Sequence, residues 1–239
     1  MSMFELIADE PDFVVINKQA GSNFHSEQGE AGLVVAAQQS LGQKLYSVHR
    51  LDKLTSGILL LAKSPVAAAA LAQLFAQRQI EKYYIALSDS KPTKKQGLIK
   101  GDMQKSRRGS WKLCKTQHNP AITHFFSFGV RAGLRLFVLK PLTGKTHQLR
   151  VALKSIGSPI VGDRRYGQDG ADRGYLHAYQ LAFTYQGRVY QYQANALSGE
   201  LFNLTECQDC LDQLGNLADL AWPSYQLPQP VRDKENASR

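Results

Sequence analysis

The chain has 239 residues, 43% hydrophobic and 21% charged, with a formal charge of +9. That suits a soluble protein of one large domain or two small ones, and a basic balance favours a polyanionic partner. No apolar run approaches the roughly 18 residues of a membrane-spanning helix, and three cysteines with an acidic "MSMFELIADEPDF" start argue against a disulfide scaffold or a secreted chain. A cytoplasmic monomer without membrane attachment is expected.

In chain order, "MFELIAD" and "DFVVINK" read as two strands around the turn Glu10-Pro11-Asp12. "GLVVAAQQSLG" spaces Leu33, Val34, Ala37 and Leu41 along one helix face. Ile58 to Ala62 is apolar without alternation, so it reads as a strand covered on both faces. Ser64-Pro65 opens a helix that packs through Ala67, Ala70, Leu71, Leu74 and Phe75 and runs to about Gln79. "EKYYIAL" is a strand by its aromatic and β-branched content. Residues 91–120 are polar, basic and without clear period, which predicts a long loop or irregular excursion.

"AITHFFSF" and "GLRLFVLKPL" then read as paired strands. "GKTHQLRVALKSIG" predicts a helix capped by Thr146 and closed near Gly157. "GYLHAYQLAFTYQGRVYQYQA" predicts further strands with a hairpin at Gln186-Gly187. "CLDQLGNLADLAW" is a weakly amphipathic helix, and the proline-bearing end is expected to be loose. Strands and helices mix without regular βα alternation. The expected fold is α+β, a mixed, largely antiparallel central sheet with flanking helices. Residues 1–205 are expected to form the catalytic domain, with 206–239 as a C-terminal helix and tail. Neither a P-loop nor a dinucleotide fingerprint is present.

Three groups of residues can carry chemistry. Asp52 lies in a polar loop between Arg50 and the buried strand, where a positioned carboxylate serves as a nucleophile or base, or caps its own turn toward Thr55. On the helix after Gly144, His147, Arg150 and Lys154 share a stripe apart from the core stripe of Leu149, Leu153 and Ile156. A cation near a helix start gains nothing from the dipole, so Arg150 calls for a carboxylate partner. Tyr83 and Tyr84 are adjacent in a strand, so one points inward and the other is free to stack on a flat ligand. Between Lys91 and Lys112 stand eight basic residues and one acidic one, a surface for phosphates in which Lys94, Lys95, Arg107 and Arg108 are the principal candidates. The Cys207–Cys210 spacing lacks the second pair or histidines of a zinc site, and no metal is expected.

"HRLDKLTSGILLLAK" resembles the signature of the RluA-type pseudouridine synthases, HRLDxxTSGLLLxAK. "DFVVINKQAG", "EKYYIAL", "PLTGKTHQLRVALKSIGSPIVGDRRYG" and "YLHAYQLAF" resemble further motifs of that family, in order, over about residues 10–185. Gln19 stands where the family usually has proline, and Lys145 where it usually has arginine. The resemblance implies an isomerase that converts uridine in tRNA or rRNA to pseudouridine, without a cofactor. It implies Asp52 as the catalytic aspartate, Tyr84 as the residue stacked on the target base, and Arg150 as the partner of the aspartate. Arg50 would enter the RNA stack when the uridine leaves it, and Thr55 and His147 would line the substrate site. Two rival readings are a non-catalytic RNA-binding module of the same fold and a hydrolase using Asp52 with His49 or His147.

Overall fold

The computed structural model describes residues 2–23 and 32–225, so the expectation for the extreme C-terminus falls outside the described residues. Strands β1 (Phe4–Asp9) and β2 (Phe13–Lys18) pair antiparallel. Helix α1 (Leu33–Leu41), the short β3 (Tyr46–Ser47), β4 (Ser56–Ala62), α2 (Pro65–Ala76) and β5 (Glu81–Ser88) follow. The middle of the chain forms β6 (Gln96–Lys105), β7 (Trp111–Cys114), β8 (Ala121–Arg131) and β9 (Leu134–Pro141). Helix α3 (Gln148–Ser155), strands β10 (Leu176–Tyr185) and β11 (Arg188–Gln193), and α4 (Thr205–Leu214) complete it.

Eleven strands make one mixed sheet in the order β1-β2-β4-β10-β5-β9-β8-β6-β7, with β11 on β10 and β3 on β4. The β4–β10 pair is parallel, through Ser56 and Gly57 against His177 and Ala178, and the other ladders are antiparallel. This is the expected α+β fold.

β4 shows why its apolar run does not alternate. Ile58, Leu60 and Ala62 join Phe13 and Val15 in a core under α2, while Leu59 and Leu61 join Val14 and Ile16 in a second core under α1. Successive side chains point to opposite faces, so both faces must be apolar when both are covered. A third core lies under α3 and α4 and takes in β5, β8, β9 and β10. Cys207 belongs to it, and burial pushes its thiol up to about 12, so the Cys207–Cys210 pair packs as apolar surface.

Four local expectations are corrected. Residues 91–120 are not a loop: β6 and β7 form an antiparallel ribbon around a 3-10 turn at Arg107–Gly109. Its outer part has little buried apolar surface, so the sequence carries no period to read there. Helix α2 ends at Ala76, because Arg78 takes a left-handed φ of 60° and closes the last turn with its amide on the Phe75 carbonyl. Thr146 does not cap α3; His147 occupies that place in a left-handed conformation. The last helix begins at Thr205 and stops at Gly215, leaving Leu217–Asp219 as a 3-10 turn. The hairpin at Gln186-Gly187 has φ of 48° and 77°, the double positive-φ turn that matches strand twist.

Candidate active site

Asp52 sits in the loop that delivers the chain into β4. Its carbonyl accepts the Thr55 amide at 3.0 Å, a tight turn that ends where the rigid strand begins. Gly57, one residue into that strand, has φ +109° and touches β10 so closely that a Cβ would lie 2.3 Å from the Ala178 carbonyl oxygen. A side chain there would hold the two strands apart. The half-buried Asp52 carboxylate is thus set at the seam between the two parts of the sheet.

Across the cleft, the start of α3 is pinned by a buried glutamine. Gln148 Oε1 accepts from Thr143 Oγ1 and the Lys145 amide, and its Nε2 donates to the Ile122 carbonyl and Thr123 Oγ1, all within 3.0 Å. All four hydrogen-bonding positions of the amide are therefore filled. Two residues on, Arg150 is only 6% exposed. Its Nε and Nη2 make a bidentate pair with Asp163, each at 2.8 Å, and its Nη1 reaches Asp52 Oδ2 at 3.1 Å. Burial alone would pull the guanidinium down, but Asp163 and Asp52 outweigh it and hold the Arg150 pKa above the usual value.

The cleft has a volume of about 520 Å³. Arg50, Asp52, Thr55, Tyr84, His147 and Arg150 all line it. Tyr83 is buried and its hydroxyl bonds Glu81 and Lys140, whereas Tyr84 faces the cleft, the split expected for neighbours in a strand. Burial, and then the charge of Asp52, raises the Tyr84 phenol, which stays neutral. His147 Nε2 stands 4.0 Å from Asp52 Oδ2. Among the lining residues Asp52 is the one acid against Arg50, Arg78, Lys82, Lys145 and Arg150.

A profile described as RNA pseudouridylate synthase matches residues 12–155, more than half of the chain. This chain belongs to the RluA-type RNA pseudouridine synthase family. It is similar to an RNA pseudouridine synthase of Haemophilus influenzae, 54% identical over 76% of this chain and 82% of the other. It is 36% identical to the ribosomal large subunit pseudouridine synthase C of Rickettsia bellii over 69% of this chain, which spans 57% of that relative's length. Its fold superposes on human RNA pseudouridylate synthase domain containing 1 with a TM-score of 0.73 at 24% identity, covering 94% of this chain and 98% of the other. The protein is therefore an isomerase acting on RNA.

In the synthase, His49 makes structural contacts to β4 and α2. His49 Nε2 accepts the Leu60 amide at 3.0 Å and its ring stacks on Phe75 at 4.3 Å. Burial, with Lys82 adding, pulls its pKa to about 3. It is a neutral brace for β4. Among the described residues no helix is long and apolar enough to cross a membrane.

Several residues around the synthase site escaped sequence reading. Asp163 is 1% exposed and lies in a turn with no regular pattern around it; only its glycine-aspartate context marks it. Lys18 is fully buried, and its Nζ donates to the carbonyls of Gln19, Lys53 and Thr55 at 2.9–3.2 Å, clasping the Asp52 loop from below. Burial pulls its ammonium to about 7, with Arg173 adding to the fall and Asp52 opposing it. Beneath the loop, Arg173 donates to Ser56 Oγ at 2.6 Å, Ser56 bonds His177 Nδ1 at 2.7 Å, and His177 Nε2 bonds the Ala194 carbonyl at 2.7 Å. A lone lysine or arginine in a strand or loop gives no signal of such a role.

The four basic candidates of the 91–112 stretch are not brought together. Lys94 and Lys95 precede β6, and Arg107 and Arg108 form the tip beyond its other end. A ten-residue strand separates them, roughly 30 Å at about 3.3 Å per residue. The tip belongs to the cleft side, since Arg165 Nη1 bonds the Arg108 carbonyl at 2.8 Å two residues from Asp163.

Proposed function

We propose that this synthase isomerises a specific uridine of structured ribosomal or transfer RNA to pseudouridine, with Asp52 as its catalytic carboxylate. One observation carries the reading. Asp52 is the acid of the cleft wall, and it is paired with an arginine whose remaining bonds are locked to a buried second carboxylate. A bound base would exclude water, and Arg150 gives the Asp52 carboxylate a fixed cationic partner in that dry site.

In this reading the uridine leaves the RNA stack, at a cost of a few kcal/mol, and enters the cleft. Tyr84 stacks on its face and Arg50, exposed at the rim, fills the gap it leaves. The glycosidic bond to the ring nitrogen breaks, the base turns, and a carbon–carbon bond to ribose forms. Asp52 acts either on the sugar carbon or on a ribose proton; its placement at the cleft wall suits both. The isomerisation adds and removes no atoms, so the reaction calls for no redox cofactor or energy source. We read residues 1–205 as the catalytic unit, working as a monomer in the cytoplasm, with α4 and the following residues appended to it. The relatives named for the large ribosomal subunit favour ribosomal RNA as the substrate.

The test is pseudouridine mapping on total RNA from cells with and without the gene. Loss of one site, restored by wild type and not by Asp52→Asn, is the expected result. No lost site, together with no pseudouridine formed by the purified protein on ribosomal and transfer RNA, would overturn it.

A further inference from the structure

Tyr166 follows the Arg150 partner Asp163 by three residues, and it touches both sides of the site. It is buried, and its ring lies 5.0 Å from the Arg150 guanidinium carbon. Its hydroxyl accepts the Trp111 amide at 2.8 Å. The same oxygen lies 2.8 Å from His147 Nδ1. A phenol oxygen has one proton to give. The Trp111 N–H uses it as an acceptor, which leaves the phenol proton available to His147 Nδ1.

This geometry favours one form of the imidazole. Burial holds its pKa below the usual histidine value; Asp52 and Asp163 pull it up, Arg150 and Arg165 push it down, and the net shift is downward. It is neutral at pH 7 and carries one proton. With Nδ1 accepting from Tyr166, that proton sits on Nε2. Nε2 is the nitrogen that faces Asp52 Oδ2 at 4.0 Å, too far for a hydrogen bond and adjacent to the space a nucleotide would fill. His147 also holds a left-handed φ of 57°, a conformation that is sparsely populated outside glycine and is tolerated where the side chain's direction matters.

We propose that Tyr166 is a positioning residue that fixes His147 as an Nε2–H donor beside Asp52, aimed at an acceptor oxygen of the bound nucleotide. The proposal rests on the synthase reading above for its substrate. It also ties the basic ribbon to the site. Trp111 opens β7, so the ribbon's own backbone determines which way the Tyr166 proton points. Arg165 fastens the ribbon tip to the same turn through the Arg108 carbonyl.

The test combines a spectrum and a kinetic cycle on the full-length protein. Long-range proton–nitrogen NMR of histidine-labelled protein at pH 7.5, without RNA, should show His147 protonated on Nε2 alone. Tyr166→Phe should convert this to a mixture of tautomers. On the RNA found by mapping, Tyr166→Phe should lower kcat about tenfold with KM changed less than about twofold. His147→Gln offers an N–H at the Nε2 position and has no tautomer. In that background Tyr166→Phe should change kcat less than about twofold. An Nδ1–H tautomer or a charged ring in wild type would overturn the proposal, and so would an equal loss of kcat in both backgrounds. The spectrum needs no turnover, so it decides the Tyr166–His147 relation even if the synthase reading fails.

Discussion

Arg150 and Asp52 are 98 residues apart in sequence and meet through a single 3.1 Å bond, while the other two nitrogens of Arg150 are both committed to Asp163. The arginine is thus anchored by one carboxylate and presented to the other. Anchoring and presentation should separate when each acid is changed.

Asp163→Asn leaves a buried guanidinium short of its charged partner. It should destabilise the protein by about 3–5 kcal/mol, as breaking buried ion pairs does. Asp52→Asn removes the half-buried end of the triad and should change stability by less than about 1.5 kcal/mol. Urea denaturation of both variants measures this; equal losses would mean that Arg150 depends on the two acids alike.

Turnover should follow the opposite order for Asp52. Asp52→Asn should keep RNA affinity and lower pseudouridine formation more than about a thousandfold. Gel-shift titration and nucleoside analysis of one RNA give both numbers. Retained turnover would remove Asp52 from the chemistry.

Lys18→Met should remove the ammonium from the carbonyls of Gln19, Lys53 and Thr55, leaving that of Lys53 with the Gly21 amide. A loss of about 2–4 kcal/mol is expected, with kcat falling alongside. A variant as stable and active as wild type would show that the loop holds its shape unaided.

His177 gives a pH dependence with a definite sign. It is fully buried, and burial pulls its pKa to about 4, with the Ala194 carbonyl opposing and Arg173 adding. Unfolded, it titrates near ~6.5. Between these values the unfolded chain binds more protons. The stability present above pH 6.5 is therefore lost as pH falls toward 4, by about 1.4 kcal/mol per pH unit from this group. Urea midpoints from pH 7.5 to 4.5 should fall more steeply for wild type than for His177→Gln; parallel slopes would contradict it.

Salt dependence of RNA binding should divide the basic segment. Arg107 and Arg108 lie at the tip joined to the cleft, and Lys94 and Lys95 at the far end of β6. Neutralising the tip pair should lower the slope of log K against log salt by about 1.4–1.8, and the far pair by less than half of that. Equal effects would mean that the RNA runs the full length of the ribbon.

The sequence made some of this legible. The unbroken apolar run of β4 announced burial on two faces, and strand parity separated Tyr83 from Tyr84. Arg150's place at a helix start called for a carboxylate, and two are there. The missing pieces have physical causes. Asp163 and Tyr166 lie in an irregular turn, where no period marks them and only the fold brings them to α3. The ribbon leaves no mark in the sequence because a hairpin whose outer part stands clear of the core has no apolar face to alternate. Lys18 is a charge inside a strand, and its three acceptors are backbone carbonyls, which every residue possesses.

The two-residue parallel contact between β4 and β10 has a further consequence, for the order of events in synthesis. Asp52, on one side of that seam, needs Arg150 and Asp163, and the seam itself needs His177 and Ala178. A chain still on the ribosome can pair β1, β2 and β4 from its first 62 residues, yet it has no complete cleft until about residue 180 has emerged. Such distant contacts close slowly. Competence to modify RNA should therefore arrive late, together with the packing of β10 into the cores under α1 and α2.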